Sequence, residues 1–377
     1  MREVWVTDAA AVTPLGDSLN QLWQGLLAGQ SSIGPVLRFP VHNYSAGIAA
    51  CIEDLSPTAD RSMAHSLLER LIMQVDRVPP DSLLITATTK SGIDNLERIR
   101  LGISADSRDV QLSRTAEKIS RRLGLIGESM NISASCASST IAIAQGAAMI
   151  AAGRAEVVMI FCMDLVTEFV FSGFSCLGAL SPTPCRPFDL NRSGLTLGEG
   201  AAGLLLMSAE RARREHRARL GTILGWGAAN DAGHITAPAK NACGLIRAIH
   251  LALKMSARKA RDIAAICAHG TGTVYNDLME LKAFNQVFGD HKIPVYSVKG
   301  AIGHTLGAAG GIEVALSLQT LSNQVVPPTV GFDTPEKGAQ GSVSSKPADI
   351  SGDCLLTTNS GFGGINAAII LKKGQKP

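Results

Sequence analysis

The sequence predicts an α/β fold made of two βαβ-type halves, and three observations carry that expectation. Short apolar runs of strand length alternate with longer stretches of helical period. The order of these elements repeats after a strongly basic run, Glu210 to Arg219. A chain of 377 residues also exceeds what one ordinary core serves, so two units, 1–217 and 218–377, are expected. A 46% hydrophobic content with 38 glycines fits closely packed layers, and an 18% charged fraction argues against a disordered chain.

Residues 3–13 read as a buried strand, followed by a turn at Pro14-Leu15-Gly16. Asp17 or Ser18 can cap a helix carrying Leu19, Leu22, Trp23, Leu26 and Leu27 on one face. Residues 29–60 look irregular, Met63 to Val75 is amphipathic, and Ser82 to Ala87 is a strand. Leu112 to Leu123 is a basic helix, Met130 to Gly153 holds a second helix, and Glu156 to Met163 is a buried strand. Phe169 to Arg192 reads as loop, with Pro182, Pro184 and Pro187, before an apolar strand over 198–208. Beyond the basic run, Gly221 to Ala229 resembles the opening strand, with a helix over 242–255. Ile263 to Ala268 matches the strand at 82–87, and 295–321 echoes the segment around Cys136. Leu355 to Thr358 and Ala367 to Leu371 echo the last two strands of the first half.

Several function classes are excluded at this stage. A net charge of +3 and 4% aromatic content give little for phosphates or base stacking, so nucleic acid is not an expected partner. The eight cysteines form no CxxC and match no zinc spacing; they read as reduced thiols in a cytosolic compartment. The opening MREVWVTDAA has no apolar signal core, and no apolar run approaches bilayer length. A cytoplasmic protein is expected.

The chemistry gathers in three stretches. Cys136 stands at or just before the start of an Ala-rich helix, where free N–H groups and the dipole favour a thiolate, the form that attacks carbonyl carbon. A buried, inert cysteine is the alternative. His269 follows an apolar strand and opens the loop His269-Gly270-Thr271-Gly272-Thr273. Lys299 and His304 lie in SVKGAIGHTLGAAGG. A single histidine after a strand is most often structural, but two at equivalent strand ends, each beside glycines, suit close approach of a ligand.

AHGTGT, SVKGAIGHTLGAAGG and NSGFGGIN, with SASCASS upstream, resemble the β-ketoacyl–acyl-carrier-protein synthases of the thiolase superfamily. RPFDLNRSGLTLGEGAAGLLL, NDAGHITAP and the opening VTDAAAVTPLG fit as well, so the likeness spans nearly the whole chain in order. The resemblance implies a thiolase-like fold with αβαβα layers and a Cys-His-His site. Cys136 would take an acyl group from the 4'-phosphopantetheine of an acyl-carrier protein. His269 and His304 would promote decarboxylation of a malonyl unit and stabilise the enolate, which attacks the acyl-Cys136 thioester. It further implies an oxyanion hole from the N–H groups of Cys136 and Phe362, with Thr271 and Thr273 against the pantetheine arm, capping of their own loop being the alternative for the two threonines. Lys299, paired with Glu313, would support the His304 loop, and Asp277 and Glu280 would be structural. No metal or redox cofactor is implied. The expected partners are an acyl-carrier protein and a second subunit, in a homodimer or a heterodimer with another ketosynthase-like chain.

The pattern departs from the family in places. SASCASS stands for TACSS, NSGFGG is one residue short of NSFGFGG, and Leu195 replaces a common phenylalanine. The region between Leu84 and Cys136, which gives relatives dimer contacts, is short. These changes point to an unusual acyl chain, in fatty-acid, polyketide or polyene assembly. Three competing readings remain: a chain-length-factor subunit, a thiolase, and a Cys-His hydrolase. The intact triad argues against the first, the absence of a cysteine from SGFGGIN against the second, and two glycine-loop histidines against the third. Carrier-protein docking is open among Arg211, Arg213, Arg214, Arg217 and Arg219, Arg61, and the pair Arg121 and Arg122, with a solvated helix face as the plainer reading of the first group.

Overall fold

Ten strands pair into one ladder in which a five-strand order occurs twice. The computed structural model describes residues 1–58, 61–289 and 291–375. The first five strands are β1 (Val4–Val12), β2 (Leu83–Ala87), β3 (Ser129–Ile132), β4 (Val157–Asp164) and β5 (Gly200–Ser208). They lie in the order β1-β5-β4-β2-β3. The next five are β6 (Gly221–Asn230), β7 (Ile263–Cys267), β8 (Val295–Tyr296), β9 (Cys354–Gly361) and β10 (Ile365–Lys373), in the order β6-β10-β9-β7-β8. Strand senses match position for position: the first two pairings of each set are antiparallel and the last two parallel. A short antiparallel register, Val4 opposite Ile223, joins β1 to β6.

Helices fill three layers around these strands. On the outer face of the first set, α2 (Met63–Ile72) and α4 (Leu112–Leu123) bury Leu67, Leu71 and Ile119 against Met159, Phe161 and Leu205. On the outer face of the second, α8 (Cys243–Ser256) and α9 (Val274–Phe288) bury Leu245, Ile249 and Phe284 against Ile266, Leu356 and Ile370. Between the sheets run α5 (Ser138–Ala151) and α11 (Ala309–Asn323), whose Ile143, Ile150, Ile312 and Leu316 meet Ile160, Leu204, Leu355 and Ile369. The αβαβα layering follows. Its middle layer is buried nearly all round, as α11 is, because it touches a sheet on either side.

Close approach of the two central helices depends on glycine. A Cβ at Gly310 would sit 1.9 Å from Thr140 Oγ1 and 2.9 Å from its backbone nitrogen. At Gly311 it would meet Cys162 Sγ at 2.2 Å. Local signals hold elsewhere: Ser18 caps α1 (Leu19–Leu27) by accepting from Gln21 N, and Gly124 ends α4 at φ 65°.

Among the helices that the sequence does not suggest, two bear on the site. The segment expected to be loop from Phe169 contains α6 (Glu168–Cys176), started by Thr167 accepting from Val170 N. Its Phe171 packs edge-on against Phe39 and Tyr44, contacts made by residues distant in sequence. In α9, Asp277 and Glu280 lie on the buried face and break the apolar period that marks a helix. Among the described residues, no helix is long and apolar enough to cross a membrane.

Gly310→Ala tests the central packing. The clash is with backbone as well as a side chain, so the variant should lose at least about 1–3 kcal/mol of stability, read from its urea midpoint.

Candidate active site

Cys136 lies on the tight connection between β3 and α5. Ser135, just before it, takes a left-handed φ of 51°, which turns the cysteine inward. The bend is held on both sides: Ser138 Oγ accepts from Ala134 N at 2.8 Å and donates to Ser135 O at 2.6 Å. Ser135 Oγ donates to Phe362 O at 2.9 Å, so the nucleophile turn is tied to the GFGG loop.

His304 is placed by strand-like contacts with the SGLTLGEG segment. Its N–H donates to Thr196 O at 2.7 Å, and its carbonyl accepts from Gly198 N at 3.0 Å. Glycines allow this fit: a Cβ at Gly198 would stand 2.0 Å from Ile302 O, and Gly303 has φ 66°. His304 Nε2 then reaches Cys136 Sγ at 2.9 Å. His269 meets the His304 ring edge-on, with centroids 5.1 Å apart.

Asp277 and Glu280 hold the His269 loop by its backbone. Glu280 accepts from the N–H of His269 at 2.8 Å and of Gly270 at 2.6 Å; Asp277 accepts from Thr271 N at 3.1 Å. Thr271 and Thr273 both line the cavity, with hydroxyl oxygens 2.9 Å apart. Lys299, on the single turn α10 (Lys299–Ile302), pairs with Glu313 on α11 at 2.5 Å and also donates to the His269 carbonyl.

Asn359, at the end of β9, was not singled out from the sequence. Its amide donates to Glu313 Oε2 at 2.7 Å and to His269 Nδ1 at 3.2 Å, while its oxygen accepts from Thr140 Oγ1. The carboxylate and the hydroxyl fix which end of the amide is nitrogen. His269 Nδ1 is therefore an acceptor, and its ring proton sits on Nε2. Asp164 is a second such residue, accepting from Thr89 N and, at 2.7 Å, from Gly307 N just past His304. Only their place in the strand-end pattern could have marked either.

The charge state differs from the thiolate expected at a helix start. Burial pushes the Cys136 thiol up to about 12, although the charge of Lys299 and the N–H of Phe362 pull it down. Burial also drives His269 and His304 well below the usual imidazole value, and Lys299 adds to this. At neutral pH the trio rests as a thiol and two uncharged rings. Desolvation outweighs the helix dipole here because Cys136 sits ahead of α5 and is buried.

The cavity over Cys136 has a volume of about 450 Å³ and is lined by both histidines, Phe174, Leu195 and Phe362. Phe174 of α6 stacks on Phe362 at 5.7 Å, so the ring missing from NSGFGG has a counterpart on a separate helix. The donor atoms of Cys136, His269 and His304 lie within 4.8 Å of one another, and a soft divalent ion could draw them together.

The basic residues singled out for docking are mostly occupied within the chain. Arg211 pairs with Asp81 and Glu215, Arg213 and Arg219 with Glu3, Arg214 with Glu156, and Arg217 with Glu215. Arg213 and Arg219 also cover the ring of Trp5. Arg121 and Arg122 pair with Glu117 and Glu69. Arg61 joins a backbone bridge with Thr58.

Family models agree with this arrangement. The β-ketoacyl synthase N-terminal domain matches residues 93–212 and the C-terminal domain residues 220–333. The chain belongs to the β-ketoacyl synthase family. It is 27% identical over 408 residues to the 3-oxoacyl-[acyl-carrier-protein] synthase 2 of Coxiella burnetii, covering 99% of both chains. A β-ketoacyl synthase from Burkholderia phymatum matches at 25% identity and TM-score 0.89, covering 100% of each chain. A ketosynthase in complex with its chain length factor from Xenorhabdus doucetiae matches at 26% identity and TM-score 0.85, over 99% of this chain and 98% of that one.

Two measurements test this electrostatic picture. In Asn359→Asp the carboxylate draws the ring proton to Nδ1, so the His269 ¹⁵N shifts should exchange their protonated and bare signatures. With the thiol pushed up to about 12, alkylation of Cys136 should climb roughly tenfold per pH unit between pH 7 and 9. A plateau in that window, followed by peptide mapping, would reveal an ion pair instead.

Proposed function

We propose that this chain is a β-ketoacyl–acyl-carrier-protein synthase carrying out decarboxylative Claisen condensation. The observation that carries the reading is Cys136 Sγ at 2.9 Å from His304 Nε2, with His269 beside it at the base of one cavity. A thiol that must cross from water-like to acyl-bearing states is better kept neutral in a dry site, since no charge is stranded there between turnovers.

In the first half-reaction Cys136 Sγ attacks the thioester carbonyl of an acyl-carrier substrate. The S–H proton passes by way of His304 to the departing pantetheine sulfur, so the pair begins and ends uncharged. The N–H groups of Cys136 and Phe362 receive the developing oxyanion in this reading, which is supported by the Phe362 N–H at the Cys136 sulfur. In the second half-reaction a malonyl thioester enters with its carbonyl oxygen toward the two rings. Its bond to the carboxylate breaks, carbon dioxide leaves, and the electron pair becomes an enolate. Nε2–H of His269 donates to that oxygen, which is the reason its tautomer matters. The enolate carbon attacks the acyl-Cys136 carbonyl, the bond from that carbonyl to Sγ breaks, and the departing thiolate takes one proton from solvent by way of His304.

Thr271 and Thr273 bind the pantetheine arm, Lys299 with Glu313 holds the His269 and His304 loops together, and Phe362 on Phe174 gates the acyl side. Substrates arrive on 4'-phosphopantetheine of an acyl-carrier protein, and no resident cofactor takes part. The chain works as two thiolase-like units, 1–217 with Cys136 and 218–377 with the histidines, in the cytoplasm. It acts as a homodimer or beside a second ketosynthase-like subunit. The edge strand β3, and separately the exposed Leu96, Ile99 and Leu101 in and after α3 (Asp94–Arg100), favour pairing through the first half. The pathway is fatty-acid or polyketide assembly.

Intact mass after incubation with acyl-carrier proteins should show one acyl group on the wild-type chain and none on Cys136→Ala. His269→Ala should still acylate yet lose about 10²–10³-fold in ketoacyl product with malonyl carrier protein. A wild-type chain that never acylates alone would favour the chain-length-factor role.

A further inference from the structure

The outer layer of the second half carries a surface unlike the rest of the molecule. The exposed residues of α8, of α9 and of the stretch leading into α8 include no acid. The two acids of α9, Asp277 and Glu280, are fully buried under the His269 loop. Lys240, Arg247, Lys254 and Lys282 all point outward, and none has a carboxylate partner among the described residues. On the first half the arginines of the basic run are instead neutralised by nearby acids. Four unpaired cations on one face of a chain with net charge +3 are a concentrated field.

These cations form one surface. Lys282 Nζ on α9 donates to Lys240 O at 3.1 Å, placing the two side by side. Arg247, Leu251 and Lys254 of α8 share a shallow depression with Gln286 of α9. Helical spacing puts Arg247, Leu251 and Lys254 on a single stripe. Exposed apolar side chains lie among them: Leu251 at 41%, Leu278 at 41% and Tyr275 at 68%.

The surface also begins at the entrance to the reaction cavity. Thr236 to Pro238, just ahead of Lys240, line that cavity, as do Thr273, Val274 and Tyr275 at the start of α9. A substrate tethered to a protein brings that protein against this rim. The chemistry of the rim then specifies its occupant: an acidic surface with an apolar centre, next to the anionic phosphate of the arm.

We infer that the α8–α9 face, through Lys240, Arg247, Lys254 and Lys282, is the docking surface for the acidic carrier protein that delivers the acyl chain. The inference rests on the ketosynthase reading and names its docking partner's site. Neither helix face takes part in the catalytic geometry, so binding and chemistry separate cleanly.

The test compares two acyl donors, an acyl-carrier protein and the acyl thioester of N-acetylcysteamine, which keeps the reacting end of the arm but has no protein. The variant is Arg247→Glu/Lys282→Glu. For the carrier substrate its kcat/KM should fall roughly tenfold or more, through KM, with the difference shrinking at high salt. For the small thioester it should equal wild type. Wild-type kinetics with the carrier protein, or a loss shared equally by both donors, would overturn the inference. A wild-type chain that takes acyl groups from neither donor would overturn the ketosynthase reading itself, an outcome no docking variant can produce.

Discussion

The ammonium of Lys299 is buried to 1% exposure, and an isolated charge at that depth is prohibitive. Its surroundings are arranged to satisfy it. Glu313 supplies the opposite charge at 2.5 Å, and the carbonyl of His269 takes another of its protons. The second oxygen of Glu313 holds Asn359, which in turn holds His269 and Thr140. One ion pair thus fixes α10, α11, the end of β7, the end of β9 and the first turn of α5 relative to each other. Removing one member strands the other, a loss of about 3–5 kcal/mol for buried pairs. The same elements carry Cys136, His269 and His304, so stability and catalytic geometry share a foundation.

The field of this ammonium also shapes the chemistry. Burial first, and this charge second, leaves both imidazoles uncharged at rest, so His304 relays a proton without keeping it, and the same charge eases the thiol toward ionisation without outweighing burial. Neutral rings are hydrogen-bond donors, which an enolate oxygen needs. Protonated rings would instead hold Cys136 as a stabilised thiolate, a better leaving group but a weaker nucleophile. A site that must attack, hold and release an acyl group benefits from a nucleophile poised between these limits.

The apolar side of the cavity is assembled differently. Phe362 comes from the GFGG loop and Phe174 from α6, so their stack depends on two segments far apart in the chain. Leu195 lies beneath them, buried within the cluster formed by Val170, Phe171, Leu180 and Leu306. Changes in this cluster alter the room for an acyl chain without touching the hydrogen-bond network around Lys299. Chemistry and substrate shape are therefore carried by separate sets of residues.

Much of this protein was legible in its sequence because local physics leaves local marks. The buried strands show as apolar runs, Ser18 and Gly124 mark helix ends, and the order of elements discloses the repeated strand order. Cys136, His269, His304 and Lys299 stand out because glycines beside them signal close backbone approach. Three features were decided only by the tertiary structure. The helix α6 is stabilised by Phe39 and Tyr44, and α9 hides its register by burying two acids, so neither follows the periodicity that reveals a helix. The roles of Asn359 and Asp164 exist only where strand ends converge. The charge state of Cys136 reverses the helix-start expectation, because desolvation depends on every layer packed around the sulfur and the helix dipole on one neighbour alone.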